Sequence, residues 1–401
     1  MPELVALDIA GGPAFLDALQ RVWDRGDAVL PLDPNAAPVQ RDMVIASMAP
    51  GSVIDADGER HRVPGGRSVE AGDAVVIATS GTTGTPKGAV HTHEGLAAAA
   101  RITAAGADAG GVGGGGGGDR SGSDVRWLAC LPLAHVGGFS VITRALLSGA
   151  GLEVHDRPDA ERIDDAARRG ATHVSLVATL LGRIDPSPWR TILLGGSSIP
   201  LDRPLNAIAT YGMTETFGGV VYDGAPLAGV EVRVAGPAGG VGPIELRSPT
   251  LLRAYRDDVV PLDATGWFLT GDLGSVDPTG RLTVQGRADD LIISGGTNVW
   301  PAPVEDVLRG DPAVADVAVF GRDDPEWGQR VVAMVVAMDP AAPPALDSLR
   351  DRVKERLGAA AAPKEIVLTD VLPRTALGKI VRHQLAEGGG AGKAGRRDAQ
   401  R

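Results

Sequence analysis

Apolar and polar residues follow two regimes along this chain. Up to about residue 200, short apolar runs alternate with longer amphipathic stretches. Ala74–Ala78, Arg126–Leu131, Leu152–His155, His173–Val177 and Thr191–Leu194 read as buried strands. Between them, Thr92–Thr103, Phe139–Leu147, Asp159–Arg169 and Ala178–Arg183 have helical character, with Thr92 suited to an N-cap. Such alternation predicts α/β architecture, parallel sheets with covering helices. From about Val230 the pattern changes to strand after strand: VEVRV, PIELRS, GWFLTGDLGSV, RLTVQG. Its period of two predicts a small antiparallel, barrel-like β subdomain. Beyond Asp289 an α+β pattern follows, with helix Val304–Leu308, strands Val314–Phe320 and Val331–Met338, helix Leu346–Leu357 and strand Glu365–Leu368. The expected domains are 1–287 and 288–387, with a disordered tail over 388–401.

Composition changes this picture in three places. Glycine accounts for 56 of 401 residues, and the stretch Gly106–Gly122, with six consecutive glycines from Gly113, reads as a flexible surface insertion. The net charge of −11 disfavours nucleic acid and anionic membrane as partners, but leaves room for a nucleotide held by local cations. Cys130 is the one cysteine, and its apolar flanks predict a buried structural thiol. No apolar run reaches the ~18 residues of a membrane span. The N-terminus starts with an acid rather than a basic segment, so the expectation is a cytoplasmic chain without a signal peptide.

The segment with the most chemistry is Thr79-Ser80-Gly81-Thr82-Thr83-Gly84-Thr85-Pro86-Lys87-Gly88. Glycines let a backbone turn back and present N–H groups to phosphate oxygens, hydroxyls add donors, and Lys87 adds charge. It is not a Walker A loop, because Lys87 stands between Pro86 and Gly88 rather than before Ser or Thr at a helix start.

TSGTTGTPKG resembles the phosphate loop of the adenylate-forming, AMP-binding enzymes, among them acyl-CoA synthetases, adenylation domains of peptide synthetases and luciferases. Four further segments match that family in order: YGMTET (Tyr211–Thr216), GWFLTGD (Gly266–Asp272), GRADDLI (Gly286–Ile292) and PRTALGK (Pro373–Lys379). The resemblance implies a large N-terminal domain, a hinge at Asp289 and a small mobile C-terminal domain. It also implies ATP, Mg2+ and coenzyme A as cofactor and co-substrates. By the same resemblance, Thr79, Ser80, Gly81, Thr82, Thr83, Gly84 and Lys87 cradle phosphates. Gly195, Gly196 and Ser197 form the turn on which adenine lies, and Tyr211, Gly212 and Thr214 belong to the nucleotide site. Glu215 holds Mg2+ beside Thr214, Asp272 accepts the ribose hydroxyls, and Arg287 contacts the ribose. Lys379 is the catalytic lysine of adenylation, stabilising charge that develops on carboxylate and α-phosphate.

Weaker features bear on the acid. LPLAHVGG places His135 between a strand and a Gly-Gly turn that leads into a helix, at the border of the family's acyl pocket. No aspartate stands near it to hold an ammonium group, which argues against an amino acid. The stretch YGMTETFGGVVYDGAPLAGVEVRV and the earlier SLVATLL resemble the ligases that activate 2-succinylbenzoate in menaquinone synthesis. That substrate is a dicarboxylate, and Arg144 and Ser175 are candidate anchors for the carboxyl group that is not activated. A ligase for another aryl or medium-chain acid, a non-catalytic nucleotide-binding regulator and a phosphate-loop ATPase are the alternatives, and homo-oligomerisation stays open. Two features depart from the family: only 78 residues precede Thr79, and glycines replace ordinary sequence after the first helix.

Overall fold

A computed structural model of the chain describes residues 1–79, 86–110, 124–196, 199–200, 202–237, 239–374, 380–382 and 384–385. The first sheet has seven strands, in the order Ala254–Tyr255, Lys87–Thr92, Asp73–Thr79, Ala28–Pro31, Leu4–Leu7, Ser52–Ile54 and Arg60–Arg62. Leu4–Leu7 is parallel to both its neighbours, whereas Lys87–Thr92 returns antiparallel to Asp73–Thr79. The short N-terminal region thus still supplies five of these strands and two helices. One of them, Pro13–Asp24, has Pro at its first turn and buries Phe15, Ala18, Leu19 and Val22, the spacing of a single helix face.

The second sheet, also seven-stranded, runs Ala225–Pro226, Gly218–Tyr222, Ala207–Met213, Thr191–Gly195, His173–Val177, Arg126–Ala129 and Gly151–Val154. Its last five members are mutually parallel. Alternation sorts each strand between two cores. Val174, Leu176, Ile192 and Leu194 pack with Ile163, Ala166 and Cys130 on one face. Trp127, Ala129 and Leu193 pack with Phe139, Ile142 and Tyr222 on the other. The Cys130 thiol is buried, and desolvation pushes its pKa up to about 12, so it is an inert core residue.

Two local expectations are corrected. The helix that starts at His93 runs to Gly110, so Gly106–Gly110 are helical rather than part of an insertion. Alanines 104, 105 and 107 favour propagation, and a Cβ at position 106 would lie 2.6 Å from Leu227 Cδ2, so glycine permits the close packing there. The remainder of the expected insertion lies outside the described residues. Gly137 and Gly138 are not a turn before the next helix, because Val136–Ser148 starts before them. A Cβ on Gly138 would stand 2.4 Å from the Leu131 carbonyl oxygen, so only glycine lets the helix start so close to the preceding loop.

A four-stranded sheet follows, in the order Glu231–Val234, Gly242–Arg247, Phe268–Val276 and Leu282–Arg287. The chain divides into two compact units. One comprises Met1–Arg233, Glu245–Thr270 and Val276–Leu282, and the other Val234–Ile244, Gly271–Ser275 and Thr283–Arg401. In the second unit, Val314–Asp324 and Gly328–Ala337 form a long antiparallel hairpin, with Glu365–Leu368 parallel to the latter. Helices Pro301–Arg309 and Leu346–Leu357 pack Val304, Leu308, Leu349 and Val353 against it. This is the expected combination of α/β layers, a small β sheet and an α+β C-terminal part. No helix among the described residues is long and apolar enough to cross a membrane.

Candidate active site

The phosphate-loop segment joins two paired strand ends. Thr79 pairs with Lys87, and the Thr79 hydroxyl donates to the Lys87 carbonyl at 3.3 Å. Ser80, Gly81, Thr82, Thr83 and Gly84 lie outside the described residues, as do Ser197 and Lys379. The Lys87 side chain is exposed, with Nζ 5.5 Å from the centroid of the Tyr255 ring.

Tyr255 connects Lys87 to the next motif. Its hydroxyl donates to Glu215 Oε1 at 2.8 Å, and the Leu252 N–H donates to the Glu215 carbonyl at 2.8 Å. Glu215 sits in the single 3-10 turn Thr214–Thr216, at the end of the parallel strand Ala207–Met213 that carries Tyr211 and Gly212. The neighbouring parallel strand ends at Gly195, followed by Gly196 at φ 105°. Strand register therefore brings Gly195, Gly196, Tyr211, Gly212, Thr214 and Glu215 to one sheet edge. Gly212 is required there, since a Cβ would meet the Gly218 carbonyl oxygen at 1.9 Å. A carboxylate oriented by a phenol through one oxygen keeps lone pairs for a hard cation, so Glu215 fits Mg2+.

His135 is the N-cap residue of Val136–Ser148, with extended backbone. Desolvation lowers its pKa against the opposing pull of Asp33, so its imidazole is neutral at pH 7. Nine residues on, about 13 Å along the helix, Arg144 is only 3% exposed. Its Nε donates to Thr103 Oγ1 at 2.8 Å, and its guanidinium lies 4.5 Å from the Trp127 ring centroid. Among the described residues no carboxylate pairs with it, and Arg144 Nη1 and the buried Tyr222 hydroxyl have no hydrogen-bond partner. The strand His173–Val177 covers the same depth. His173 contacts Trp127 at 4.8 Å and is fully buried, whereas Ser175 and Val177, on the same face, are partly exposed. Ser175 thus stands midway between the sheet edge and the Arg144 level.

In the second unit, Arg287 Nη1 lies 3.4 Å from Asp272 Oδ1. Gly271, at φ 76°, makes room for this pair, because a Cβ there would lie 3.0 Å from Arg287 Nη2. Asp289 is in the 3-10 turn Ala288–Asp290. The adjacent Asp290 pairs with Arg382 at 3.3 Å, and Arg382 also reaches the buried Glu305 at 2.7 Å.

A family model described as AMP-binding enzyme matches residues 17–256, and one described as AMP-binding enzyme C-terminal domain matches residues 303–379. The chain belongs to the AMP-binding enzyme family. This AMP-binding enzyme is 38% identical over 413 aligned positions to a probable 2-succinylbenzoate–CoA ligase of Mycobacterium tuberculosis H37Rv, covering 95% of this chain and 97% of that one. It is 34% identical to the 2-succinylbenzoate–CoA ligase of Bacillus licheniformis, over 78% of this chain and 69% of that protein. Among solved structures it is similar to the o-succinylbenzoate–CoA synthetase of Bacillus subtilis in complex with its acyl-adenylate intermediate. The TM-score is 0.82 and identity 28%, covering 96% of this chain and 88% of that one.

Sequence reading of this AMP-binding enzyme missed Tyr255, Tyr222 and His91. Tyr255 is 40 residues from Glu215, and His91 is 123 residues from Thr214, whose carbonyl it meets at 2.8 Å. Neither pairing leaves a local pattern. For Tyr222, the signal was its place between the metal motif and Asp223-Gly224.

Proposed function

We propose that this enzyme is an ATP-dependent acid–thiol ligase that converts 2-succinylbenzoate to 2-succinylbenzoyl-CoA in menaquinone synthesis. In the first half-reaction a carboxylate oxygen attacks the α-phosphorus of ATP and pyrophosphate leaves. In the second, the coenzyme A sulfur attacks the acyl carbonyl and AMP leaves, the thiol proton passing to solvent. The end-to-end likeness to 2-succinylbenzoate–CoA ligases supports the reaction. The observation that carries the acid is Arg144, a buried guanidinium with an unmet N–H and no carboxylate partner among the described residues. A buried charge left in this condition is costly unless a counter-charge arrives. The helix from His135 places Arg144 about 13 Å from its start, and there Arg144 and the buried Tyr222 interact electrostatically. An acid activated beside His135 can set a second carboxylate against them.

The remaining roles are assigned on the same reading. Lys87 and the 80–84 segment hold phosphates, Gly195, Gly196 and Ser197 support adenine, and Tyr211, Gly212 and Thr214 complete the nucleotide site. Asp272 and Arg287 take the ribose, and Lys379 stabilises charge in adenylation. Glu215 would hold Mg2+, which when bound neutralises phosphate charge. Residues 1–287 and 288–387 act as the two domains, with Asp289 as hinge. A cytoplasmic location follows from the need for ATP and coenzyme A. The test is a panel of carboxylic acids incubated with enzyme, ATP, Mg2+ and coenzyme A, and thioesters read by mass. One charge-assisted contact contributes ~1.5–3 kcal/mol, so 2-succinylbenzoate should exceed benzoate and octanoate in kcat/KM by at least about tenfold. Equal use of octanoate overturns the assignment.

A further inference from the structure

We infer that His91 is a positioning residue for the metal-binding turn: its Nε2–H holds the Thr214 carbonyl and thereby aims the Glu215 carboxylate. The inference rests on the reading of Glu215 as the Mg2+ ligand. His91 lies on Lys87–Thr92, the strand that leaves the phosphate loop, and is fully buried. Its Nε2 is 2.8 Å from the Thr214 carbonyl oxygen, and its Nδ1 has no partner. A carbonyl only accepts, so the proton is on Nε2 and Nδ1 is bare. Burial supports this neutral state by pushing the His91 pKa down to about 4.

The turn needs such a hold. Thr214 is followed by Glu215, Thr216 and then Phe217 at φ 54°, a left-handed conformation that is strained for a phenylalanine. Within the turn, the Phe217 N–H donates to the same Thr214 carbonyl at 3.0 Å. His91 is a second donor to that oxygen, and its ring centroid lies 5.0 Å from that of Phe217, so one residue contacts both ends of the turn. Glu215 between them is then fixed from its backbone, while Tyr255 fixes its carboxylate. A core residue chosen for volume alone would not need a donor at Nε2.

The test compares His91→Gln, whose amide nitrogen reproduces Nε2, with His91→Met and His91→Asn, which bring no donor to that point. Manganese stands in for magnesium and is titrated by electron paramagnetic resonance in the presence of a non-hydrolysable ATP analogue, with no acid added. Wild type and His91→Gln should bind manganese alike, whereas His91→Met and His91→Asn should bind it about fivefold to tenfold more weakly. Affinity for the analogue without metal should stay within about twofold, because the loss acts through the turn. Wild-type affinity in His91→Met, or equal weakening in His91→Gln, overturns the inference. If the variants do not fold, the wild-type imidazole 15N shifts decide: a proton on Nδ1 overturns the proposal. Failure of 2-succinylbenzoate as substrate leaves this assay unaffected. Absence of nucleotide-dependent manganese binding in wild type overturns both this inference and the role of Glu215.

Discussion

Arg144→Met separates an anchor from a structural residue, because the two roles predict opposite changes in stability. In the folded protein Arg144 is 3% exposed, and its guanidinium lacks a carboxylate partner among the described residues. Desolvation accordingly lowers its pKa, with Tyr222 opposing. Methionine keeps an unbranched stem as far as the Nε position and removes the buried charge. What is lost is the hydrogen bond to Thr103, about 1–1.5 kcal/mol, and the contact with Trp127, about 1–2 kcal/mol. What is gained is relief of a desolvation penalty of several kcal/mol. The balance gives stability that is unchanged or higher by up to about 2 kcal/mol, and a Tm rise of up to about 4 °C. Against 2-succinylbenzoate, loss of one charge-assisted contact of ~1.5–3 kcal/mol lowers kcat/KM about 10- to 150-fold. Benzoate and octanoate should be used as well as before or better. Initial rates of thioester formation on the three acids, with calorimetric Tm, read both effects. A lower Tm together with an equal loss on all acids would show that the guanidinium holds the fold and does not meet the substrate.

Other perturbations address the remaining roles. Lys379→Ala should slow adenylation about 100- to 1000-fold, the loss of about 3–4 kcal/mol of transition-state stabilisation, yet make thioester from preformed acyl-adenylate and coenzyme A; near wild-type pyrophosphate release refutes this. Asp289→Pro restricts backbone rotation in its turn, so acyl-adenylate should form at a near-normal rate and accumulate while thioester formation falls by orders of magnitude. Single-turnover quenching separates the steps, and unchanged rates for both remove the hinge. Burial pushes His91 and His173 down to about 4, below their ordinary 6.5. The unfolded chain therefore binds their protons first, so this part of stability is intact above pH 6.5 and is lost as pH falls towards 4, by roughly 3 kcal/mol each. Urea midpoints between pH 4.5 and 7.5 should show this slope, and His173→Phe should flatten it; an unchanged slope rules out His173 as a source.

Much of the protein was legible along the chain because its chemistry is local. Five motifs in order, each a short run with backbone constraints of its own, named the family and singled out Glu215, Asp272, Arg287 and Lys379 as candidates. Period also served well where an element packs on one face or is wholly buried: His173–Val177, Leu346–Leu357 and Glu365–Leu368 have the bounds the pattern predicted. Glycines misled, since conformational freedom in an isolated chain says nothing about what presses against the residue. Gly106 and Gly138 lie inside helices, at points where Leu227 and the Leu131 carbonyl leave no space for a side chain. Tertiary structure alone decided who holds the functional groups. Tyr255 reaches Glu215 and His91 reaches Thr214 only because strands far apart in sequence lie side by side. Arg144 reads in sequence equally as an anchor and as an ordinary helix-face arginine, and folding favours the anchor by burying it over Trp127 with no carboxylate partner among the described residues. A motif records what each residue can do, but burial and cross-strand neighbours set the cost of each charge, and those are properties of the packed chain.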